Sequence, residues 1–175
     1  AFMDGRWRLA GNPAYEASID YIRGRLLAAG FGPEPGAAAS VGVESFPTAT
    51  PGWDYRVGTV AFADAPDPLL SAGGDRFSLA IHSFSTPAGG LVAPLIDVGR
   101  GTPADYAGRP VRGAVVLTDA PLGRVWRDAV KTRGAAGVIS TSVAPYIRPA
   151  GGVLSEEQQD VLQWDAIPYD RDARS

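Results

Sequence analysis

The segment Val111–Thr118, with the sequence VRGAVVLT, is an apolar run that ends on a polar residue, as expected for a buried strand. The next segment, Leu122–Arg133, has apolar residues at helical spacing and ends before Gly134. A second short apolar run, Ala136–Ser140, follows directly. Two strands joined through one helix predict a parallel pair with a right-handed crossover. The predicted buried face of the helix comprises Leu122, Val125, Trp126, Ala129 and Val130.

Working outward, the preceding apolar run Leu91–Gly99 contains Pro94. Proline cannot donate to a strand ladder, so this run predicts an edge strand, a bulged strand or two separate pieces. Thr102–Tyr106 predicts a single helical turn, because Thr102 can cap it and Pro103 suits its first position. Shorter strands are predicted at 41–45, 56–62 and 77–81, with a final edge strand at 166–169 and a short helix at 155–163.

An N-terminal helix is predicted from Pro13 to about Ala29, with Asn12 as its N-cap and Gly30 as its stop. Four apolar residues recur at spacings of four, three and four and are called the apolar stripe: Tyr15, Ile19, Ile22 and Leu26. A bare apolar patch invites association. We expect this stripe to pack on a domain outside the chain, on the sheet, or in an oligomer.

Composition excludes several chemistries. The 175 residues include no cysteine and one histidine, His82, which excludes disulfides, thiolate nucleophiles and any metal site built on two imidazoles of this chain. A net charge of −3 offers no electrostatic footprint for nucleic acid or an anionic membrane. No apolar run approaches the length of a membrane span, and the first residues lack the order of a signal peptide.

The residues that could carry chemistry are explained more simply by structure. His82 precedes two serines, but no nucleophile-elbow motif is present, so a hydrogen-bonded structural histidine is favoured. Gly99-Arg100-Gly101 lacks the third glycine of a dinucleotide loop. Three strand-end carboxylates are interpreted as turn and cap residues: Asp97, Asp105 and Asp119. No residue is therefore assigned to catalysis, to a cofactor or to a metal.

Three stretches together resemble a protease-associated (PA) domain: Ile96–Tyr106 (IDVGRGTPADY), Val111–Leu117 (VRGAVVL) and Ala129–Ile139 (AVKTRGAAGVI). That family has a strand ending in a glycine-rich turn, a V-x-G-x-V-V-L strand, and a helix running into A-x-x-x-G-A-x-G-V-I. Ile167-Pro168 is similar to its closing strand. The resemblance implies a swivelling β/β/α fold with a small βαβ unit and short strands.

A second resemblance lies at the N-terminus. Arg8–Pro13 (RLAGNP), the helix through Leu26–Phe31 (LLAAGF) and Val43–Phe46 (VESF) are similar to the opening of the co-catalytic zinc aminopeptidase superfamily. In its PA-containing branch, the PA domain follows this opening, and the zinc ligands lie in the core that comes after it. No His-x-Asp motif of that core occurs in this sequence.

The two resemblances together imply an organisation in which residues 1–50 are the entry helix and connecting segment of a peptidase core. Residues 51–170 would be the PA-like domain, and 171–175 a severed tail. The chain would be the non-catalytic accessory part of a zinc-dependent aminopeptidase that shapes substrate access or mediates peptide and protein contacts. Zinc is expected in the absent core, which would be a partner, and the family suggests an extracellular or cell-envelope location.

A loop with an aromatic residue and an arginine, Tyr146 and Arg148, is the candidate contact with peptide or partner, because it lies between regular elements and is flanked by proline and glycine. Two alternatives stay open. The chain could be a stand-alone protein- or peptide-binding module. More remotely, it could be a hydrolase that uses His82 and a serine.

Overall fold

A computed structural model describes residues 8–33, 38–74, 78–143 and 165–169. The chain divides into two compact units, Ala1–Arg56 and Val57–Ser175. The first contains a helix, and the second contains a small antiparallel sheet and a three-stranded parallel sheet, so the architecture is mixed α/β with short strands.

Helix α1 spans Pro13–Ala28 and begins and ends where the sequence predicts. The Oδ1 atom of Asn12 accepts a hydrogen bond from the backbone N–H of Tyr15 at 2.9 Å, which satisfies one of the free N–H groups of the first turn. Gly30 has a φ of +96° just beyond the helix, in the left-handed region that glycine adopts without steric cost.

The apolar stripe of α1 is only partly covered. Tyr15 and Ile22 are 37% and 46% exposed, while Ile19 and Leu26 are half-buried. The buried residue of the helix is instead Ser18, whose hydroxyl donates to the carbonyl of Ala14 at 2.7 Å. The helix therefore forms as predicted, but its apolar face retains exposed surface.

The antiparallel sheet is smaller than the sequence predicts. Strands β1 (Thr59–Val60) and β2 (Leu70–Ser71) pair with Thr59 opposite Ser71. The prediction of a strand at 41–45 is wrong, because residues 41–48 have no regular structure. The alternation of Val41 and Val43 suggested one buried face, but Val43 is exposed and no such face forms.

The parallel sheet confirms the predicted strand–helix–strand unit. Its strands are β3 (Leu95–Asp97), β4 (Val115–Thr118) and β5 (Gly137–Ser140), and β4 lies in the middle. Strand β3 lies at an edge, as predicted, and starts only after Pro94, whose carbonyl accepts a hydrogen bond from the N–H of Val115 at 2.9 Å. Proline therefore shortens the predicted strand without preventing pairing.

Most of the connection between β4 and β5 is helical, and its hydrogen-bond pattern changes along the helix. Helix α3 covers Leu122–Val125, and a π-helical segment continues it over Trp126–Thr132. The predicted inner face is confirmed, because its five residues are buried or half-buried. One core cluster consists of Val98, Tyr106, Val111, Val116, Ala120, Val125, Ala129 and Ala135. The π pattern was not predicted.

A short helical turn, α2, spans Pro103–Tyr106 as predicted. Two further predicted strands do not form as continuous strands among the described residues. The described part of 77–81 and the segment 166–169 meet in an isolated parallel bridge between Ile81 and Ala166. Next to this bridge, Ile167 is buried against Leu122 and Trp126. The predicted helix at 155–163 and the tail at 171–175 lie outside the described residues.

Candidate functional site

The loops that follow β3 and β4 lie side by side because the two strands are parallel and therefore end at the same edge of the sheet. Thr118 joins the two loops, since its hydroxyl donates to the carbonyl of Gly99 at 2.7 Å and accepts from the N–H of Ala120 at 3.1 Å. The N–H of Asp119 also donates to the carbonyl of Gly99 at 3.0 Å. These bonds hold the two loops in one arrangement.

Gly101 allows the first loop to approach the helix. It has a φ of +62°, and a Cβ atom at this position would lie 2.9 Å from Cγ2 of Val125. Both the backbone conformation and the close approach require glycine here. The N–H of Gly101 donates to the carbonyl of Val98 at 2.7 Å, which closes a tight turn at the end of β3.

A cavity of about 320 Å³ opens between these loops. It lies at the carboxyl edge of the parallel strands, where open α/β sheets commonly bind ligands. Its volume is near the lower end of the range of about 300–1,000 Å³ typical of small-molecule sites. The lining residues are Arg100, Thr102, Asp119, Ala120, Pro121 and Arg124.

The charges of the cavity are mixed. Two arginines and one aspartate line it, and their side chains together carry one net positive charge. The guanidinium of Arg124 donates to the carbonyl of Arg100, so one arginine holds the backbone that carries the other. Each guanidinium has five N–H donors, so this bond leaves further donors on Arg124. Within the described part of the chain, the carboxylate of Asp119 has no hydrogen-bond or ion-pair partner.

Asp105 fixes the rim of the cavity through Thr102. The carboxylate of Asp105 accepts from the backbone N–H of Thr102 at 2.8 Å and from its hydroxyl at 2.7 Å. These bonds, first the one from the hydroxyl and then the one from the N–H, lower the pKa of Asp105 from its ordinary value of 3.8. Asp105 therefore stays ionised, and the predicted role of Thr102–Tyr106 as a capped turn is confirmed.

Tyr106 lies behind the first loop. Its residue is 6% exposed, and its hydroxyl is buried without a hydrogen-bond partner among the described residues. Burial raises the pKa of this phenol, and the nearby negative charge of Asp128 adds to the increase. The guanidinium carbon of Arg133 lies 4.1 Å from the ring centroid, which gives the ring a cation–π contact.

His82 lies in a different place, where residues 81–82 pair with 165–167. Its Nδ1 atom lies 3.1 Å from the carbonyl of Ile167, and its ring meets that of Tyr169 edge-on at 5.6 Å. Because a carbonyl only accepts, Nδ1 must donate in this contact. The hydroxyl of Ser83 donates to the carbonyl of Ala80 at 2.7 Å. His82 thus has the hydrogen-bonded structural position that the sequence favours.

The other candidate residues are not brought together into one site. The carboxylate of Asp97 accepts from the N–H of Gly99 at 2.7 Å, which is a turn role, and Asp105 caps α2. Across the described ranges, no group of three or more histidine, cysteine, aspartate or glutamate residues could hold a metal ion. Tyr146 and Arg148, the candidate contact residues, lie outside the described residues.

Sequence reasoning missed the cavity, although it had considered several of its residues separately. In the sequence, Arg100 lies in a glycine-flanked loop and Asp119 is interpreted as a turn residue, while Arg124 has no signal beyond its place in the predicted helix. The available signal was their placement: Arg100 and Asp119 come just after two strands predicted to be parallel. The carboxyl ends of such strands meet at one edge, so the loops that follow them lie close together.

Comparison with known proteins gives one relative. Over 142 aligned residues, the chain is 30% identical to the probable lipoprotein aminopeptidase LpqL of Mycobacterium tuberculosis. The match covers 75% of this chain and 24% of the relative, so the chain spans about a quarter of the length of the curated relative it matches. This is distant, partial homology to a probable aminopeptidase. No protein-family model matches the chain, and no solved structure does.

Among the described residues, no helix combines the length and the apolar character that crossing a membrane requires.

Proposed function

We propose that this chain is the non-catalytic, PA-type accessory part of a larger zinc-dependent aminopeptidase, where it shapes substrate access or contacts peptides and proteins. The observation that carries the proposal is the partial match to LpqL, which extends over three quarters of this chain and only a quarter of that protein. A segment of this extent can be an accessory region attached to a separate catalytic core.

The parallel sheet supports the PA-type assignment. Val115–Thr118 and Gly137–Ser140 pair in parallel on either side of a helical connection, with Val116 opposite Val138. All but the last residue of each strand lies within the stretches whose sequence resembles the PA family. The division of the chain after Arg56 also separates the helix from the two sheets. We therefore propose 1–50 as entry helix and connection and 51–170 as the PA-like domain.

The apolar stripe supports a role within a larger assembly. Tyr15 and Ile22 keep more than a third of their surface exposed, although both lie on the predicted apolar side of α1. We propose that the missing catalytic core covers this stripe, with a second copy of the chain as the alternative cover. Sedimentation velocity of the 175-residue chain separates the two: a monomer at all concentrations favours the core, and a dimer abolished by Ile22→Glu favours the second copy.

The decisive experiment begins with the coding region beyond Ser175. A downstream His-x-Asp motif and a Glu-Glu pair are expected, because the zinc-binding core implied by the resemblance should follow. A stop codon at this point would instead favour a stand-alone binding module. With the longer protein in hand, peptide hydrolysis is measured as kcat/KM for several peptides.

In that protein, replacing both Tyr146 and Arg148 by alanine should change kcat/KM for peptides, because the proposal places their loop at the substrate entrance. Arg127→Ala, on an exposed position of the π-helical segment, is the matched control and should leave the kinetics unchanged. Unchanged kinetics of the double variant across several substrates would contradict a role of this loop in substrate access.

A further inference from the structure

We propose that the cavity at the carboxyl edge of the parallel sheet binds a free α-amino acid, with the ligand carboxylate on Arg100 and Arg124 and its ammonium group on Asp119. The inference rests on the proposed function only for the source of the ligand, since an aminopeptidase releases free amino acids. The binding itself depends on the residues of the cavity.

The first argument is charge. Arg100 and Arg124 both line the cavity, and arginine pairs with carboxylates through parallel N–H donors. Asp119 adds a carboxylate to the same lining and has no partner among the described residues. A ligand with one negative and one positive group can pair with the arginines and with Asp119 at the same time. A simple anion, by contrast, is repelled by the carboxylate of Asp119.

The second argument is discrimination against phosphate, the other oxyanion that arginines commonly bind. Asp119 lines the cavity, and the carboxylate of Asp105 accepts two hydrogen bonds from Thr102, another lining residue, and interacts electrostatically with Arg100. Two fixed negative charges close to the arginines disfavour a dianion more strongly than a carboxylate. The hydroxyl of Thr102 already donates to Asp105, so it offers no proton to an anion in the cavity.

The third argument is size and rigidity. A cavity of about 320 Å³ suits a small ligand, and Ala120 and Pro121 supply apolar surface for a side chain. Thr118 locks the two loops through its bonds to Gly99 and Ala120, and Arg124 holds the carbonyl of Arg100. The charged groups are therefore carried by backbone that is already ordered, which lowers the entropic cost of binding.

The test is calorimetric titration of the 175-residue chain with free leucine. N-acetylleucine removes the ammonium group, leucinamide removes the carboxylate, and inorganic phosphate and a leucine dipeptide are the competing ligands. Leucine is expected to bind at least about tenfold more tightly than each of the two blocked analogues, since each loses one charged contact. Absence of leucine binding, or tighter binding of phosphate or of the dipeptide, would overturn the proposal.

Variants separate ligand contacts from structural effects. Arg100→Gln and Arg124→Gln should each weaken leucine binding at least about tenfold. Asp119→Asn should weaken binding of leucine and leucinamide but strengthen that of N-acetylleucine, an opposite pair of effects that misfolding cannot produce. Arg127→Gln removes the same charge from an exposed position outside the cavity and should change nothing. An equal loss in this control would contradict the assignment.

The experiments distinguish failure of the amino-acid site from failure of the proposed accessory role. Leucine binding is measured on this chain alone, whereas the accessory role is measured by the coding region and by kcat/KM of the longer protein. Leucine binding without a downstream peptidase core would retain the site and refute the accessory role. The reverse result would retain the accessory role and refute the site.

Discussion

The parallel sheet and the N-terminal helix differ in how far their apolar side chains are buried. In the sheet unit, Val98, Val116 and Val125 are completely buried, because a strand, a loop and a helix close over one another. In the helix, Ile22 on the apolar stripe is 46% exposed. The sheet unit thus completes a core of its own, and the helix displays an apolar surface that is suited to a further partner.

The difference follows from how each element is partnered. A middle strand such as β4 has neighbours on both edges and a helical connection packed against it, so its residue Val116 is completely buried. The backbone hydrogen bonds of a helix lie within the helix itself, so helical geometry does not require every apolar side chain to be buried. Regular structure by itself is therefore no measure of a completed core.

The largest effect is expected in the sheet. Val116→Ala should lower the free energy of unfolding by about 1.5–3 kcal/mol, because two buried methyl groups are lost and a cavity remains. Urea denaturation measures it. Val92→Ala makes the same chemical change at a position that is 87% exposed and should stay within about 0.5 kcal/mol. Equal effects of the two substitutions would contradict the buried position of Val116.

The cap of α1 is expected to contribute next. Asn12→Ala should destabilise the helix by about 1 kcal/mol, because the N–H of Tyr15 loses its acceptor. Amide hydrogen exchange in α1 reports the loss directly. Asn12→Ser preserves a capping oxygen and should restore most of the protection. If serine fails to do better than alanine, the cap is not what holds this end of the helix.

The apolar stripe should contribute little within this chain. Ile22→Ala is expected to change the free energy of unfolding by less than about 0.5 kcal/mol, because the side chain keeps much of its exposure and alanine favours helix. Thermal and urea unfolding measure it. The same substitution should cost clearly more in the longer protein if the core covers the stripe. A loss of about 2 kcal/mol in this chain would show that the stripe is already buried.

The smallest effect concerns the rim of the cavity. The pKa of Asp105 is lowered by its bonds from Thr102, so the folded state gains stability above the ordinary pKa of 3.8 and loses it as the pH falls through the lowered value. A carboxyl NMR titration measures that midpoint. Thr102→Val should raise it toward 3.8, whereas Thr48→Val, at an exposed threonine elsewhere, should not move it. An unchanged midpoint in Thr102→Val would contradict the hydroxyl bond.

Much of the fold could be predicted from local patterns. The helix after Asn12, the turn at Pro103 and the strand–helix–strand order are each encoded in a few neighbouring residues through capping, proline placement and periodicity. The strand predicted at 41–45 does not form. Alternating apolar residues indicate that a strand would have one apolar face, but that face is buried only if another segment of the chain packs against it. The π-helical pattern of Trp126–Thr132 likewise has no simple signal in residue spacing.

The sequence by itself indicated the parallel unit, because two short apolar runs joined through one helical segment are typical of a parallel pair with a right-handed crossover. It also determined which chemistries are excluded, since the chain has no cysteine and only one histidine. Only the tertiary structure decided which polar residues meet. Arg100, Asp119 and Arg124 line one cavity because parallel strands end at the same edge, a relation between segments that residue spacing alone does not reveal.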